Sequence, residues 1–177
     1  MDCLMTATTI SETISNKNLL SLCNQNIGEL CSAMDHSMDS ISYFKKTLEL
    51  RKDCPVQKRI IPISSLVKEY IKINDIPNAK KWIQEGLILT EFLDDSFLIY
   101  IYEFQVYHLL VEGKEDLLEN LVIKKLLPLL KEKGLFFEHA FYLKQLAEYY
   151  YKKRKYKLSA HYYQAAMNSI HNVIYRR

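Results

Sequence analysis

A pattern of small and large residues that returns every 39 or 40 positions constrains this chain more than anything else in it. The copy from Leu143 to Ala166 is the clearest. Leu143, Leu146, Ala147 and Tyr150 recur at three- and four-residue spacings, a basic turn follows, and Ser159, Tyr163 and Ala166 resume the periodicity. Such spacing puts side chains on one face of an α-helix. A small residue in one helix, another opening the next and a large residue four positions later let two helices cross closely while the large side chain fills the gap. This is the signature of a tetratricopeptide-like helix pair.

Traced toward the N-terminus, the paired slots fall at Gly28 and Ser40, Val67 and Ala79, Tyr107 and Glu119, and Ala147 and Ser159, in steps of 39, 40 and 40 residues. The large slot after each second marker reads Phe44, Ile83, Ile123 and Tyr163. The third copy breaks the small-residue rule at Tyr107 and Glu119 and is assigned from its apolar run. This period exceeds the roughly 34 residues of a tetratricopeptide repeat, which requires longer helices or loops. The expected fold is all-α, a tetratricopeptide-like right-handed superhelix of antiparallel helix pairs with about four repeats. Those repeats are expected over 19–51, 56–93, 95–133 and 136–175, after a trailing helix of an earlier unit over 1–14, all in one domain spanning 1–177.

The helices are expected at Leu19–Ala33, Met38–Arg51, Val56–Ile73, Pro77–Leu93, Asp95–Val111, Lys114–Lys133, Phe136–Lys152 and Tyr156–Tyr175. Four Gly and four Pro in 177 residues are too few for a chain of many β-turns. Asn74-Asp75 and Gly134 mark turns, and Pro77 suits a first helical turn. Pro62 and Pro128 fall inside expected helices, so each should kink its helix or move a boundary.

Several function classes are disfavoured. The net charge of +3 is mild, and the densest basic cluster, Lys152 to Lys157, lies in an expected turn, where solvated charge is ordinary; no nucleic-acid partner is expected. Cys3, Cys23, Cys31 and Cys54 lack metal-ligand spacing and read as reduced thiols. The five histidines form no ligand pair, so neither a metal nor a cofactor is expected. Acid pairs such as Asp94-Asp95 stand beside helix starts, where negative charge favours the dipole. No phosphate loop or nucleophile elbow is present, and no catalytic residue is assigned. With no apolar run of membrane length and no signal-peptide pattern, a cytoplasmic protein with no membrane partner is expected.

A binding groove remains. The first helix of each pair should line the inner face. Counting from the small slots, that face carries Leu22, Gln25, Asn26 and Glu29, then Ile61, Ser64, Ser65 and Lys68. It continues with Ile101, Phe104, Gln105 and His108, then Phe141, Lys144, Gln145 and Glu148. Amides, hydroxyls and charges among a few apolar residues suit an extended peptide, whose backbone needs hydrogen bonds and whose side chains need small pockets. Asn26 stands out, since one amide offers a donor and an acceptor to a peptide bond.

Asn26-Ile27-Gly28, Tyr43-Phe44-Lys45-Lys46 and Ala79 to Leu87 together resemble the C-terminal tetratricopeptide domain of the bacillar Rap family. So do Tyr102-Glu103-Phe104, Leu146 to Tyr150, and Ser159 to Ala166. These proteins are response-regulator aspartate phosphatases inhibited by short secreted peptides that re-enter the cell. The resemblance implies peptide capture in the groove, with Asn26 at the family's peptide-anchoring asparagine, in quorum sensing linked to sporulation or competence. Nothing in this sequence corresponds to the family's N-terminal three-helix bundle with its catalytic glutamine, so phosphatase activity is expected to be missing. The expected partner is a signalling peptide of about five residues. The alternative is a general scaffold that docks on a partner protein or forms a homodimer through an uncapped N-terminal edge.

Overall fold

The computed structural model describes residues 2–174, with the side chains of Asp2, Glu115 and residues 172–174 left aside. The described residues form helices joined by short turns, with no strand among them, and fall into two compact units, Met1–Glu112 and Gly113–Arg177. The first holds α1 (Asp2–Thr13), α2 (Lys17–Ala33), α3 (Ser37–Leu50), α4 (Val56–Lys72), α5 (Ile76–Thr90) and α6 (Leu98–Val111). The second holds α7 (Glu115–Leu121), α8 (Leu127–Glu132), α9 (Phe136–Lys152) and α10 (Tyr156–Ile174). The expected helices are present within a few residues except Lys114–Lys133, which is divided into α7, a π turn and α8; Tyr175 lies outside the described residues.

The repeat is visible in the backbone. Residues with left-handed φ follow α2, α4, α6 and α9 at Asp35 (61°), Asn74 (59°), Gly113 (66°) and Arg154 (57°), close to the sequence period. At three of these turns the next amide reaches back five residues: His36 N donates to Cys31 O at 2.9 Å, Asp75 N to Tyr70 O at 2.8 Å, and Lys155 N to Tyr150 O at 2.9 Å. Such a bond satisfies carbonyls that a helix end leaves unpaired. Asn16 and Asp75 cap the next helices, accepting from Leu19 N and Asn78 N.

In the first unit the small slots work as the spacing implies. The Phe44 ring lies on Gly28, where an added Cβ would stand 2.5 Å from it, and Ser40 Oγ donates to Gly28 O at 2.9 Å. Val67 and Ala79 are fully buried. A second close contact sets Phe104 of α6 against Gly86 of α5, leaving no room for a methyl group. Pro62 does not break α4. It has no N–H for Lys58 O, and Arg51 Nη1 donates to that carbonyl instead at 3.0 Å.

In the second unit two slots are filled differently from expectation. Residues 122–126 between α7 and α8 form a π turn, with Leu127 N bonded to Val122 O, just ahead of Pro128. Beside this turn Val122 is buried and Ile123, the expected large slot, is only half-buried, while Leu126 is buried. In the last pair Tyr163 is 39% exposed, and Tyr162 instead stacks on Tyr150, with centroids 5.3 Å apart and planes at 4°. Burial, then the bond to Glu119, pushes the Tyr150 hydroxyl pKa up and keeps it a donor.

Gly86→Ala is expected to destabilise the chain by about 1–3 kcal/mol, because overpacking against a buried ring outweighs the gain in helix propensity. Urea unfolding followed by circular dichroism checks this; a neutral or stabilising effect would show that Phe104 can move aside.

Candidate functional site

The first helices of successive pairs in the first unit, α2, α4 and α6, are joined by side chains into one wall. Between α2 and α4, Gln25 Nε2 donates to Glu29 Oε1 at 2.8 Å and to Ser65 Oγ at 3.1 Å, and Ser65 Oγ donates to Glu29 Oε1 at 2.7 Å. One turn further along, Ser32 bonds Glu69, while Lys72 Nζ reaches Ser32 O at 3.0 Å and Asp35 at 2.7 Å. Between α4 and α6, Lys68 Nζ lies 3.1 Å from Glu103 Oε1, Ser64 Oγ donates to Glu103 Oε2 at 3.0 Å, and the Tyr107 hydroxyl stands 3.3 Å from Ser64 Oγ.

The Glu103 side chain is 2% exposed and that of Lys68 34%, so the carboxylate is the buried partner. Burial works against the Lys68 charge, but Glu103, helped by Tyr107 and Glu29, outweighs it and raises the lysine pKa. A lysine whose folded pKa is raised contributes full stability below its unfolded value of about 10.4 and loses it as pH climbs through the folded one. The contribution is therefore constant across neutral pH.

The expected groove residues separate into two rows one position apart. Gln25, Ser64 and Phe104 are 6%, 2% and 0% exposed. The first two lie in the polar seam between helices, whereas Phe104 is core packed on Gly86, which corrects its placement on an open face. The other row is Leu22, Asn26 and Glu29 on α2, Ile61, Ser65 and Lys68 on α4, and Ile101, Gln105 and His108 on α6. Leu22, Asn26, Glu29 and Gln105 are exposed, Ile61, Lys68, Ile101 and His108 half-buried, and Ser65 is covered by its bonds to α2. The Asn26 amide has no hydrogen-bond partner among the described residues, while the buried Gln25 Oε1 and Glu69 Oε2 also lack one. In the second unit Phe141, Lys144 and Gln145 line α9, with Phe141 and Lys144 exposed and Lys144 3.9 Å from Glu148.

Among the wall residues that sequence spacing missed are Glu103, Tyr107 and Glu69, with Ser32 and Lys72. Glu103 was detectable in principle as the lone acid of α6, since a carboxylate on such an apolar helix needs a cationic partner.

These helix pairs place the chain among tetratricopeptide-like repeat proteins. No protein-family model matches it. A curated relative, the transcriptional activator NprA of Geobacillus stearothermophilus, is 29% identical over 181 residues, which cover 98% of this chain and 44% of NprA. Among solved structures, a Rap protein complexed with competence and sporulation factor is similar with a TM-score of 0.82 and 20% identity, over 98% of this chain and 47% of that one. Aspartyl phosphate phosphatase F from Bacillus subtilis gives 0.78 and 18%, over 94% and 42%, and the apo form of RapI 0.77 and 15%, over 96% and 60%. The chain thus has the helical-repeat fold of the Rap proteins and matches part of each. It spans less than half the length of NprA.

Lys68→Met should destabilise the chain by about 3 kcal/mol by leaving Glu103 buried without its counter-charge, and Lys68→Met combined with Glu103→Leu should recover most of that loss. A double-mutant cycle in urea measures both; additive losses would show that the pair is not coupled.

Proposed function

We propose that this chain is a peptide-binding tetratricopeptide module of the Rap type, which captures a signalling peptide of about five residues along the row beginning at Leu22, Asn26 and Glu29. The observation that carries the reading is the Asn26 amide, exposed and without a hydrogen-bond partner among the described residues, on a wall whose neighbouring polar groups are bonded to one another. An extended backbone presents one N–H and one C=O at each residue, and Asn26 can meet both. Gln105 and His108 supply further polar contacts along the row, and Leu22 and Ile101 supply apolar ones, while Ser65 and Lys68, bonded to Glu29 and Glu103, border the row and hold its helices. Gln25 and Ser64 act indirectly, by holding α2, α4 and α6 in register.

The likeness to a Rap protein complexed with competence and sporulation factor supports this reading, as does the transcriptional activator among the relatives, since a peptide sensor must pass its state to a regulatory output. The described residues serve capture rather than phosphatase chemistry, and the protein works in the cytoplasm, where a re-imported peptide would reach it.

A thermal-shift screen of the chain against a pentapeptide library tests the proposal, with Asn26→Ala in parallel. Stabilisation that depends on peptide sequence is expected, with affinity falling by about 1–3 kcal/mol in the variant because a peptide group loses its partner. Unchanged affinity of Asn26→Ala in calorimetry would remove Asn26 from the mechanism. A folded chain that responds to no peptide would favour a protein partner, including a second copy.

A further inference from the structure

The turn joining α9 to α10 and the helix ends beside it hold Lys152, Lys153, Arg154, Lys155 and Lys157, five positive charges in a chain whose net charge is +3. The rest of the protein is therefore net negative, and positive potential is concentrated at this turn. All residues from Tyr151 to Leu158 are exposed. The turn is nevertheless well fixed: Lys153 N donates to Tyr149 O at 3.1 Å, Arg154 N to Tyr151 O at 2.9 Å and Lys155 N to Tyr150 O at 2.9 Å.

Two of the cations are partly engaged. Lys153 Nζ lies 4.6 Å from the Tyr149 ring centroid and 3.5 Å from Asp116, and Lys155 Nζ lies 5.7 Å from the Tyr150 ring centroid. Lys152, Arg154 and Lys157 have no carboxylate partner among the described residues. Beside them Tyr151 and Tyr156, 61% and 58% exposed, pack edge to face with centroids 5.5 Å apart. Helix formation does not explain all of this charge. The first turn of α10 contains no acid, and Lys157 sits there against the helix dipole.

We propose that this turn docks an acidic segment of another protein, whose carboxylates pair with Lys152, Arg154 and Lys157 while an apolar side chain covers the Tyr151–Tyr156 pair. Exposed aromatics beside cations are typical anchors of protein interfaces. A short acidic segment fits better than a nucleic acid. Phosphate binding gains affinity from many contacts along a strand, and this patch is a single turn whose cations without a carboxylate partner among the described residues are Lys152, Arg154 and Lys157. The proposal does not depend on peptide capture by α2, α4 and α6.

Fluorescence anisotropy of a labelled peptide of alternating Glu and Asp around one Phe, titrated with the whole chain at low salt, tests it. Saturable binding is expected, weakened about tenfold or more by Lys152→Glu with Arg154→Glu and about threefold by Tyr156→Ser, with unchanged circular dichroism and melting. Lys152→Gln with Arg154→Gln should fall between, which separates lost pairing from any effect of charge reversal on folding. No binding at millimolar peptide, or equal affinity in the charge-reversed variant, would overturn the proposal. So would tighter binding through these residues of a charge-matched oligonucleotide or of phosphatidylserine vesicles.

Discussion

Glu103 is the constraint around which the first unit is arranged. It is the one acid of α6 and is almost fully removed from water, where a carboxylate without partners is costly. Lys68 and Ser64 on α4 supply them. Apolar packing is non-directional and lets neighbouring helices slide by a turn at modest cost, but a buried ion pair with a hydroxyl on its second oxygen permits one register. The same device recurs between α2 and α4, where Gln25, Ser65 and Glu29 form a closed triangle. Polar seams on one side and aromatic rings over glycines on the other therefore fix α2, α4 and α6 as a unit.

The helix pairs were legible because a close crossing demands small residues at fixed spacing, and Gly28, Ser40 and Phe44 meet that demand with both contacts seen in the structure. Which residues of α2, α4 and α6 stand exposed was legible only to within one position, which is the limit of counting along a helix. One residue is a rotation of about 100°, enough to carry Phe104 from an open face into the core while Gln105 stays exposed. The signal that would have separated them is Gly86, whose missing side chain makes room for a ring that sequence spacing assigned elsewhere. The same uncertainty placed Tyr163 in a gap that Tyr162 occupies on Tyr150.

The prolines show why a local rule gave only half the answer. Each deletes a backbone donor, but the consequence depends on who else can reach the orphaned carbonyl. At Pro62 the guanidinium of Arg51, the residue that ends α3, does so, and α4 continues. At Pro128 the chain reaches the proline through a π turn, beside which Val122 is buried and Ile123 only half-buried. That copy was the degenerate one in sequence, and the irregular backbone accounts for part of the mismatch. The Tyr107 side chain at its small slot has a different cause, since its hydroxyl joins the Ser64–Glu103 seam.

Similarity of fold at 15% to 20% identity follows from the same division of labour. A helix pair needs small residues, rings and left-handed turns at set intervals, and those needs are met by Gly or Ser, by Phe or Tyr, and by Asp, Asn, Gly or Arg. The exposed row has no such duty. Asn26 contributes nothing to packing that another exposed helix residue could not, and asparagine is a mediocre helix former, so its presence there has no explanation in stability. Ser65 and Lys68 in the same row are occupied in holding α2, α4 and α6 together. A ligand that drew either of them away would loosen the register of the wall, whereas one held through Asn26 leaves that register intact.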